Sequence, residues 1–363
     1  MAKPIRPSFA SSYKIIADAR SLMRLLLKTA KMKSIKIKLR EFILKVGISF
    51  CVLTGAGLNF PVVVTAQEKV KELAQPSSYH MLLGDIEIIA VSDGSIPLEL
   101  NKVLTNTKPG EIEKLTDQNF QTPVVEASVN AYLVKTGGKL ILIDAGTAEL
   151  YGPSLGHLPA NLVKAGYQPE QITAVLITHI HTDHTGGLMD GDKMVFPNAD
   201  IYVSKKEADY WLSEENYAKA PARLKKYFDE ARLKMTPYVK AGKVKTFDYG
   251  AELFPGILPV ASAGHTPGHT FYQVSDKGEK IMFWGDIMHA AAVQFDDPDV
   301  TIAFDVDPAA AAKARKKAYE DAAAKRYWIA ADHLSFPGIG HIRKAGNGYT
   351  WFPIIYTTTG KGQ

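Results

Sequence analysis

The apolar positions of the chain change their period repeatedly from about residue 80 onward. Alternating or continuous apolar runs bounded by turn residues predict β-strands, whereas apolar positions three or four residues apart predict helices. Strands are predicted for the segments IEIIAVSDG, ASVNAYLVKTGGKLILIDAG, AVLITH, ILPVASA, TFYQVSDKGEKIMFWGD and RYWIAADHL. Helices are predicted for LPANLVKAG, KKEADYWLS, residues 219–236 and PAAAAKARKKAYEDAAAK. Strands joined in hairpins and interleaved with helices predict an α/β fold in which helices cover the sheets.

Residues that can bind a metal follow directly after one of these strands. The segment THIHTDHTGG holds three of the chain's ten histidines and one aspartate: His179, His181, Asp183 and His184. While the chain stays extended after AVLITH, His179 and His181 point to the same side and can bind one ion together. The chain must then turn, and Gly186-Gly187 makes a sharp redirection easy, so that the other two side chains face elsewhere. A catalytic zinc ion has three protein ligands and keeps its fourth place for water. Four ligands of this kind therefore exceed the needs of one ion and predict two.

Further candidate ligands lie at the ends of later strands. His265 belongs to the turn AGHTPGHT, Asp286 ends the strand FWGD, and His333 follows another strand in AADHLSFPG. In this order the residues resemble the metallo-β-lactamase-fold hydrolases, most closely methyl parathion hydrolases and the related dihydrocoumarin-type lactonases. The resemblance covers about residues 79–358 and includes the stretches YHMLLGDIEI, AADHLSFPGIGHI and AAVQFDDP. It implies an αββα four-layer sandwich of two mixed β-sheets flanked by helices, formed by residues 80–363.

The resemblance also implies a role for each ligand. Two ions would share one aspartate, with His179, His181 and His265 on the first ion, Asp183, His184 and His333 on the second, and Asp286 bridging both. Zinc is the expected ion, although manganese, cobalt or iron(II) suits the same imidazole and carboxylate ligands. A hydroxide between the ions would be the nucleophile, and Asp183 would pass a proton to the leaving group. The implied activity is hydrolysis of lactones and aryl esters, with weak hydrolysis of organophosphate triesters, and the resembling enzymes are homodimers.

Two sets of residues are expected to line the substrate pocket. By position in the resembling family, an aromatic wall is formed by Tyr151, Trp211 and Phe228. At four more positions the sequence matches the lactonases rather than methyl parathion hydrolases: Leu104, His289, Ile302 and Phe304. The bulk of His289 and Phe304 is expected to narrow the pocket, which favours a planar lactone over a tetrahedral phosphotriester. The interval from His184 to His265 is also one residue shorter than in methyl parathion hydrolases.

Other functions stay open at this stage. The first alternative is a dedicated methyl parathion hydrolase. A second is a redox enzyme of the same fold, since persulfide dioxygenases keep H-x-H-x-D-H but use one iron. A binding protein without activity is disfavoured, because inactive relatives commonly lose ligands and this chain has kept all seven.

The charge of the chain is unevenly distributed. Residues 1–66 contain 12 basic and 2 acidic residues, whereas the remainder contains 31 basic and 36 acidic residues, which argues against nucleic-acid binding. The basic segment KMKSIKIKLREFILK, the apolar segment after it and Val64-Thr65-Ala66 predict a signal peptide that is cleaved after Ala66, with a linker over 67–79. Cleavage implies export, in a bacterium to the periplasm, without stable membrane association. An uncleaved anchor over 46–64 and a start at Met32 are the alternatives.

Overall fold

The computed structural model of the protein describes residues 75–359, so the leader and most of the predicted linker lie outside the described residues. The strands of this part of the chain are β1 (Ser78–Leu83), β2 (Ile86–Glu99), β3 (Leu104–Thr105), β4 (Val124–Thr136), β5 (Lys139–Ile143), β6 (Ala174–Leu176), β7 (Met189–Asp190), β8 (Lys193–Met194), β9 (Asp200–Ser204), β10 (Val244–Phe247), β11 (Ile257–Ala261), β12 (Thr270–Asp276), β13 (Glu279–Phe283), β14 (Thr301–Ile302), β15 (Trp328–Ala330), β16 (Ile339–Ala345) and β17 (Gly348–Pro353). The α-helices are α1 (Leu100–Val103), α2 (Glu111–Gln118), α3 (Leu158–Lys164), α4 (Thr182–Thr185), α5 (Lys205–Trp211), α6 (Glu214–Lys219), α7 (Ala222–Lys240), α8 (Ala291–Gln294) and α9 (Pro308–Lys325). Short 3-10 helices span Pro169–Gln171 and Gly186–Leu188.

Most of the strands form two mixed β-sheets. The larger sheet has the order β1-β2-β4-β5-β6-β9-β10, and the smaller sheet has the order β11-β12-β13-β15-β16-β17. In the larger sheet the strands from β1 to β5 pair antiparallel, and those from β5 to β10 pair parallel. In the smaller sheet only β13 and β15 pair parallel. Strand pairs β3/β14 and β7/β8 form two further small sheets.

Alternating side chains build apolar layers on both faces of each sheet. On β5, Ile141 and Ile143 point into the layer between the two sheets, whereas Leu142 points toward the helices. On β13, Phe283 points into the same inner layer and Met282 points outward. Helices α3, α5 and α7 cover the larger sheet, and α9 covers the smaller one. The order helix, sheet, sheet, helix confirms the predicted αββα sandwich.

Several details differ from the sequence-based expectations. The hairpin at residues 136–139 joins β4 and β5 as predicted. Strand β1 begins at Ser78, so the last two residues of the predicted linker belong to the larger sheet. Among the strands of four or more residues and the helices of five or more residues, the sequence analysis did not identify β1, α2, α6, β9, β10, β16 or β17. Within residues 75–359, no helix combines the length and apolarity that crossing a membrane requires.

Candidate metal centre

The candidate ligands lie at strand ends of both sheets. The segment after β6 in the larger sheet carries four of them, the turn between β11 and β12 carries His265, and Asp286 and His333 follow β13 and β15 of the smaller sheet. The structure brings these residues together in two groups, in each of which the candidate ligand atoms lie within 4.8 Å of one another. The first ligand group consists of His179, His181, His265 and Asp286, and the second ligand group consists of Asp183, His184, Asp286 and His333.

Asp286 lies between the two groups and belongs to both. Its Oδ2 atom is 3.5 Å from Nε2 of His179 and 3.3 Å from Nε2 of His265. Its Oδ1 atom is 3.1 Å from Nε2 of His184 and 3.0 Å from Nε2 of His333. Neighbouring ligands of a tetrahedral zinc are roughly 3.3 Å apart when the metal–ligand bonds are about 2.0–2.1 Å long. Each oxygen of Asp286 is therefore close enough to the histidines of one ligand group to bind the same ion as they do.

Unsatisfied buried atoms test whether these residues fit a cation. Nε2 of His179, of His184 and of His333 and Oδ1 of Asp286 are buried without a hydrogen-bond partner among the described residues. A buried polar atom without a partner costs about 1–3 kcal/mol, so four such atoms in the two ligand groups need an explanation. Imidazole and carboxylate ligands without thiolate suit zinc, manganese, cobalt or iron. The residues present therefore fit two divalent ions.

The opposite nitrogen of several ligand rings is held by an oxygen acceptor. Nδ1 donates in three rings, with His184 bonded to Asp144 at 2.8 Å, His265 to Asp305 at 2.7 Å, and His333 to the carbonyl of Ser128 at 2.8 Å. Such contacts fix the tautomer and direct Nε2 toward the ion. Sequence reasoning missed Asp305, which follows the pocket position Phe304 by one residue.

Burial and charge set the protonation of the centre. Burial holds the pKa of His179 well below its ordinary value. Burial opposes protonation of His265 and His333 too, but neighbouring carboxylates, Asp286 first, outweigh it and raise the pKa of both rings to about 9. Burial also disfavours the charged form of Asp286, yet the surrounding histidines hold the pKa of its carboxyl group well below the usual range. Asp286 is therefore an ionised ligand shared by both groups.

The two glycines of the THIHTDHTGG segment are required for a different reason than predicted. Gly186 has a helical φ of −56°, which any residue adopts. A β-carbon on Gly186 would lie 2.3 Å from the carbonyl oxygen of Thr147, and one on Gly187 would lie 1.9 Å from that of Ala145. The glycines therefore allow the 3-10 helix Gly186–Leu188 to pack directly on the backbone that follows β5, which holds the preceding helix α4 with Asp183 and His184 in the centre.

A cavity of about 290 Å³ opens onto both ligand groups. Its wall is mainly apolar and aromatic and is formed by Ile96, Leu98, Ala127, Val129, Tyr151, Lys226, Tyr227, His289 and Phe304. Four of the candidate metal ligands also line the cavity, namely His181, Asp183, Asp286 and His333. The residues that line this cavity include no serine or cysteine, so the described part of the chain offers no side-chain nucleophile of either type there.

The prediction that Trp211 and Phe228 line the pocket is corrected by the structure. Both are fully buried in the apolar layer between the larger sheet and its helices. Neighbouring residues of a helix point about 100° apart, so Tyr227 of α7 faces the cavity whereas Phe228 faces the core. The sequence carries no signal that separates Tyr227 from Phe228, because the two aromatic residues are adjacent and only the packing of α7 decides which one meets the cavity.

Leu104 and Ile302 also lie outside the cavity wall. They pair across β3 and β14 and are buried in a separate apolar cluster, against which Leu98 and Phe304 pack. Both residues therefore support the wall from behind instead of contacting the cavity. Tyr151, His289 and Phe304 line it as expected.

His289 stands closer to the ligands than the sequence indicated. Its Nε2 atom lies 3.0 Å from Oδ2 of Asp286, and its ring stacks on that of His333 with centroids 4.9 Å apart. Burial lowers the pKa of His289. A residue expected only to narrow the pocket therefore also contacts the aspartate shared by both ligand groups.

Comparisons with known proteins agree with this arrangement. A family model described as the metallo-beta-lactamase superfamily matches residues 124–331, a stretch that contains six of the seven candidate ligands. The ribonuclease TTHA0252 of Thermus thermophilus is 28% identical over 178 residues, which cover 48% of this chain and 38% of that protein. An N-acyl homoserine lactonase of a Bacillus species is 27% identical over 198 residues, which cover 49% of this chain and 66% of the lactonase. The chain therefore spans less than two thirds of the length of these curated relatives.

Solved structures resemble the chain over more of its length. The hydrolase AbOPH of the β-lactamase superfamily superposes with a TM-score of 0.75 at 37% identity and covers 78% of this chain and 100% of its own. The dizinc quorum-quenching lactonase AidC, solved with the product N-hexanoyl-L-homoserine, gives a TM-score of 0.73 at 30% identity, with the same two coverages of 78% and 100%.

Proposed function

Because the chain belongs to the metallo-beta-lactamase superfamily, we propose that it is a metal-dependent hydrolase that holds two zinc ions and opens lactone rings. The observation that carries the proposal is the pair of ligand groups that share Asp286 at one end of a small apolar cavity. The similarity to a dizinc lactonase and to N-acyl homoserine lactonases supports both the metal and the substrate class. The closer resemblance to methyl parathion hydrolases stays a prediction.

The chemistry divides between the ions and the chain. Two bound divalent ions lower the pKa of water and polarise a carbonyl oxygen. Asp183 reaches the cavity with its side chain 16% exposed, so its carboxylate can move a proton between water and the leaving oxygen. Burial raises the pKa of Tyr227 to about 12, so its hydroxyl stays protonated and can donate a hydrogen bond to a substrate oxygen. A serine or cysteine nucleophile is not needed for this reaction.

The size and shape of the cavity favour a flat, neutral substrate. A volume of about 290 Å³ lies just below the range of about 300–1,000 Å³ typical of ligand pockets. A lactone presents a planar carbonyl, whereas a phosphotriester arranges three substituents around a tetrahedral phosphorus. We propose dihydrocoumarin-type lactones and aryl esters as preferred substrates, and organophosphate triesters as poor ones.

A substrate panel on the zinc-loaded protein tests this function. We expect kcat/KM to be highest for dihydrocoumarin or N-hexanoyl homoserine lactone, lower for phenyl acetate, and lowest for methyl parathion. A preference for methyl parathion would replace the proposal by an organophosphate hydrolase. One bound iron per chain together with no hydrolysis of any panel member would indicate a redox enzyme of this fold.

A further inference from the structure

Glu207 is a fully buried carboxylate close to the metal centre. It lies in the first turn of α5 with none of its surface exposed. Acidic side chains are almost never fully buried unless other groups satisfy them, because removing the charge from water is costly. The presence of this carboxylate within a few ångströms of the ligand-bearing loops therefore requires an explanation.

Four uncharged donors surround this carboxylate. Oε1 accepts hydrogen bonds from the amide of Ile180 at 2.9 Å and from the indole of Trp211 at 2.7 Å. Oε2 accepts hydrogen bonds from the hydroxyl of Thr266 at 2.9 Å and from the amide of Gly268 at 2.7 Å. Hydrogen bonds to a charged acceptor are among the strongest in proteins, so the four together fix the position of each donor.

Three of the four donors belong to the two segments that carry the histidines of the first ligand group, and the fourth, Trp211, lies on α5 itself. Ile180 stands between His179 and His181, and Thr266 directly follows His265. One oxygen of Glu207 holds the first segment, and the other oxygen holds the second. The carboxylate therefore sets the separation between the two segments.

Close packing makes this arrangement rigid. A β-carbon on Gly268 would lie 2.3 Å from the amide nitrogen of Glu207 and 2.4 Å from Oγ of Ser204. The hydroxyl of Ser204, the N-cap of α5, donates a hydrogen bond to the carbonyl of Gly268 at 2.8 Å. The turn after His265 therefore rests on the beginning of α5 with no space for adjustment.

The second ligand group is held by other residues. Asp144 fixes His184, and the carbonyl of Ser128 fixes His333. We propose that Glu207 is a positioning residue for the first ligand group, which holds the His179–His181 segment and His265 at the separation at which they bind one divalent ion. This inference rests on the metal centre of the proposed function, and it predicts that loss of Glu207 affects the two ions unequally.

Zinc titration of the chelator-treated protein tests the inference without measuring turnover. Glu207→Gln keeps the volume of the side chain but turns an amide NH₂ group toward two of the donors. We expect the parent to bind two Zn²⁺ ions, and the variant to bind one of them about 10- to 100-fold more weakly, as is usual when an outer partner of a ligand is lost. The other ion should bind within threefold of the parent. Isothermal titration curves of His265→Ala and His333→Ala identify the weakened ion, and the curve of Glu207→Gln should resemble that of His265→Ala.

Asp93 offers a matched control. It is equally buried and also accepts four hydrogen bonds, from the amide and hydroxyl of Thr147 and the amides of Gly156 and Leu158. Asp93→Asn should lower the free energy of unfolding while the zinc affinity of the first ligand group stays within threefold of the parent. If Asp93→Asn weakens the same ion as strongly as Glu207→Gln does, the effect is one of general stability and the inference is overturned.

The remaining outcomes are equally decisive. Unchanged zinc affinities in Glu207→Gln, or an equal loss of both ions, would overturn the inference. If that variant does not fold, Thr266→Val removes one of the four hydrogen bonds and should weaken the same ion about tenfold. A parent that binds two ions but hydrolyses no lactone would refute the proposed function and leave this inference standing. A parent that binds fewer than two ions would overturn both.

Discussion

At the scale of single side chains, the centre depends most on Asp286. Its two oxygens face different ligand groups. Among the seven candidate ligands, Asp286 alone belongs to both groups. Asp286→Asn keeps the shape and removes the charge that the surrounding histidines share. We expect this variant to lose zinc from both groups and to lower kcat/KM for lactones by on the order of 100-fold or more, beyond the loss caused by outer partners. Zinc content and lactone hydrolysis are measured together, with the exposed Asp299→Asn as the control. Two zinc ions retained in Asp286→Asn would mean that the shared ligand is misassigned.

Of the two residues that are predicted to set the preference between lactones and phosphotriesters, Phe304 gives the more direct test. His289 contacts Asp286, so replacing it disturbs the ligands as well as the cavity. The ring of Phe304 lies 6.1 Å from that of His289 and lines the cavity. Phe304→Leu removes aromatic bulk from the wall and should shift the ratio of kcat/KM for methyl parathion to that for dihydrocoumarin about tenfold toward the phosphotriester. Ile302→Val, in the supporting cluster, should leave this ratio nearly unchanged. An unchanged ratio in Phe304→Leu would show that this wall does not select the substrate.

At the scale of secondary structure, the sequence predicted best those elements that carry ligands. Strand β6 is short and fully buried, and the histidines that follow it mark its end. Strand β10 was missed because neither Val244 nor Phe247 at its ends is fully buried and both residues between them are exposed, so that it shows no period of two. Strand β16 was missed because its second half, from Arg343 to Ala345, is exposed and basic. Periodicity thus locates a fully buried strand such as β6, whereas the edge strand β10 and the half-exposed strand β16, which lies between β15 and β17, depend on partners that are distant in sequence.

The ligands could be predicted from the sequence, whereas most of the residues that line the pocket could not. A ligand must stand at a fixed offset from a strand end, so its spacing is visible in the sequence. A wall residue such as Tyr227 depends on which face of α7 meets the cavity, and that face is set by packing against residues that are distant in sequence. Trp211 and Phe228 could therefore be recognised as aromatic residues near the site, but not as members of the core.

Helix α7 provides a test of this assignment. Phe228→Ala creates a cavity in the core and should lower the free energy of unfolding by about 3–5 kcal/mol. Tyr227→Phe keeps the ring and removes only the hydroxyl that we propose donates to the substrate, so it should lower kcat/KM for lactones about tenfold and change stability by less than about 1 kcal/mol. Denaturant unfolding and steady-state kinetics on both variants separate the two effects. The opposite pattern, with Tyr227→Phe destabilised and fully active, would place Tyr227 in the core.

At the scale of the whole molecule, the basic residues 1–66 precede a mildly acidic remainder. This segment lies outside the described residues, so its cleavage and export to a bacterial periplasm stay predictions. The homodimer also stays a prediction. We propose that the mature chain begins near Gln67, because a small-residue exit at Ala66 follows the apolar segment. Intact-mass measurement of the protein exported by its native host should give this start. A chain that keeps residues 1–66 and is recovered with the membranes would support an anchor instead.

The ligand groups connect the two sheets of the sandwich. Four ligands follow β6 of the larger sheet, and three belong to loops of the smaller sheet. Bound ions therefore tie the sheets together at one edge, and their binding energy adds to the stability of the folded chain. At a free zinc concentration of 100 times Kd, each independent site adds about 2.7 kcal/mol. Removal of both ions should then lower the Tm by roughly 10–20 °C, since 1 kcal/mol corresponds to about 2–4 °C in domains of 150–250 residues.

Differential scanning calorimetry measures this shift with and without a chelator, and readdition of zinc should restore the original Tm. Asp286→Asn is the matched control, because a variant that has already lost its ions should show no shift on chelation. A parent whose Tm does not respond to the chelator, despite two bound zinc ions in the untreated protein, would mean that the ions do not join the two sheets. A shift of equal size in the parent and in Asp286→Asn would mean that the chelator acts somewhere other than the shared aspartate.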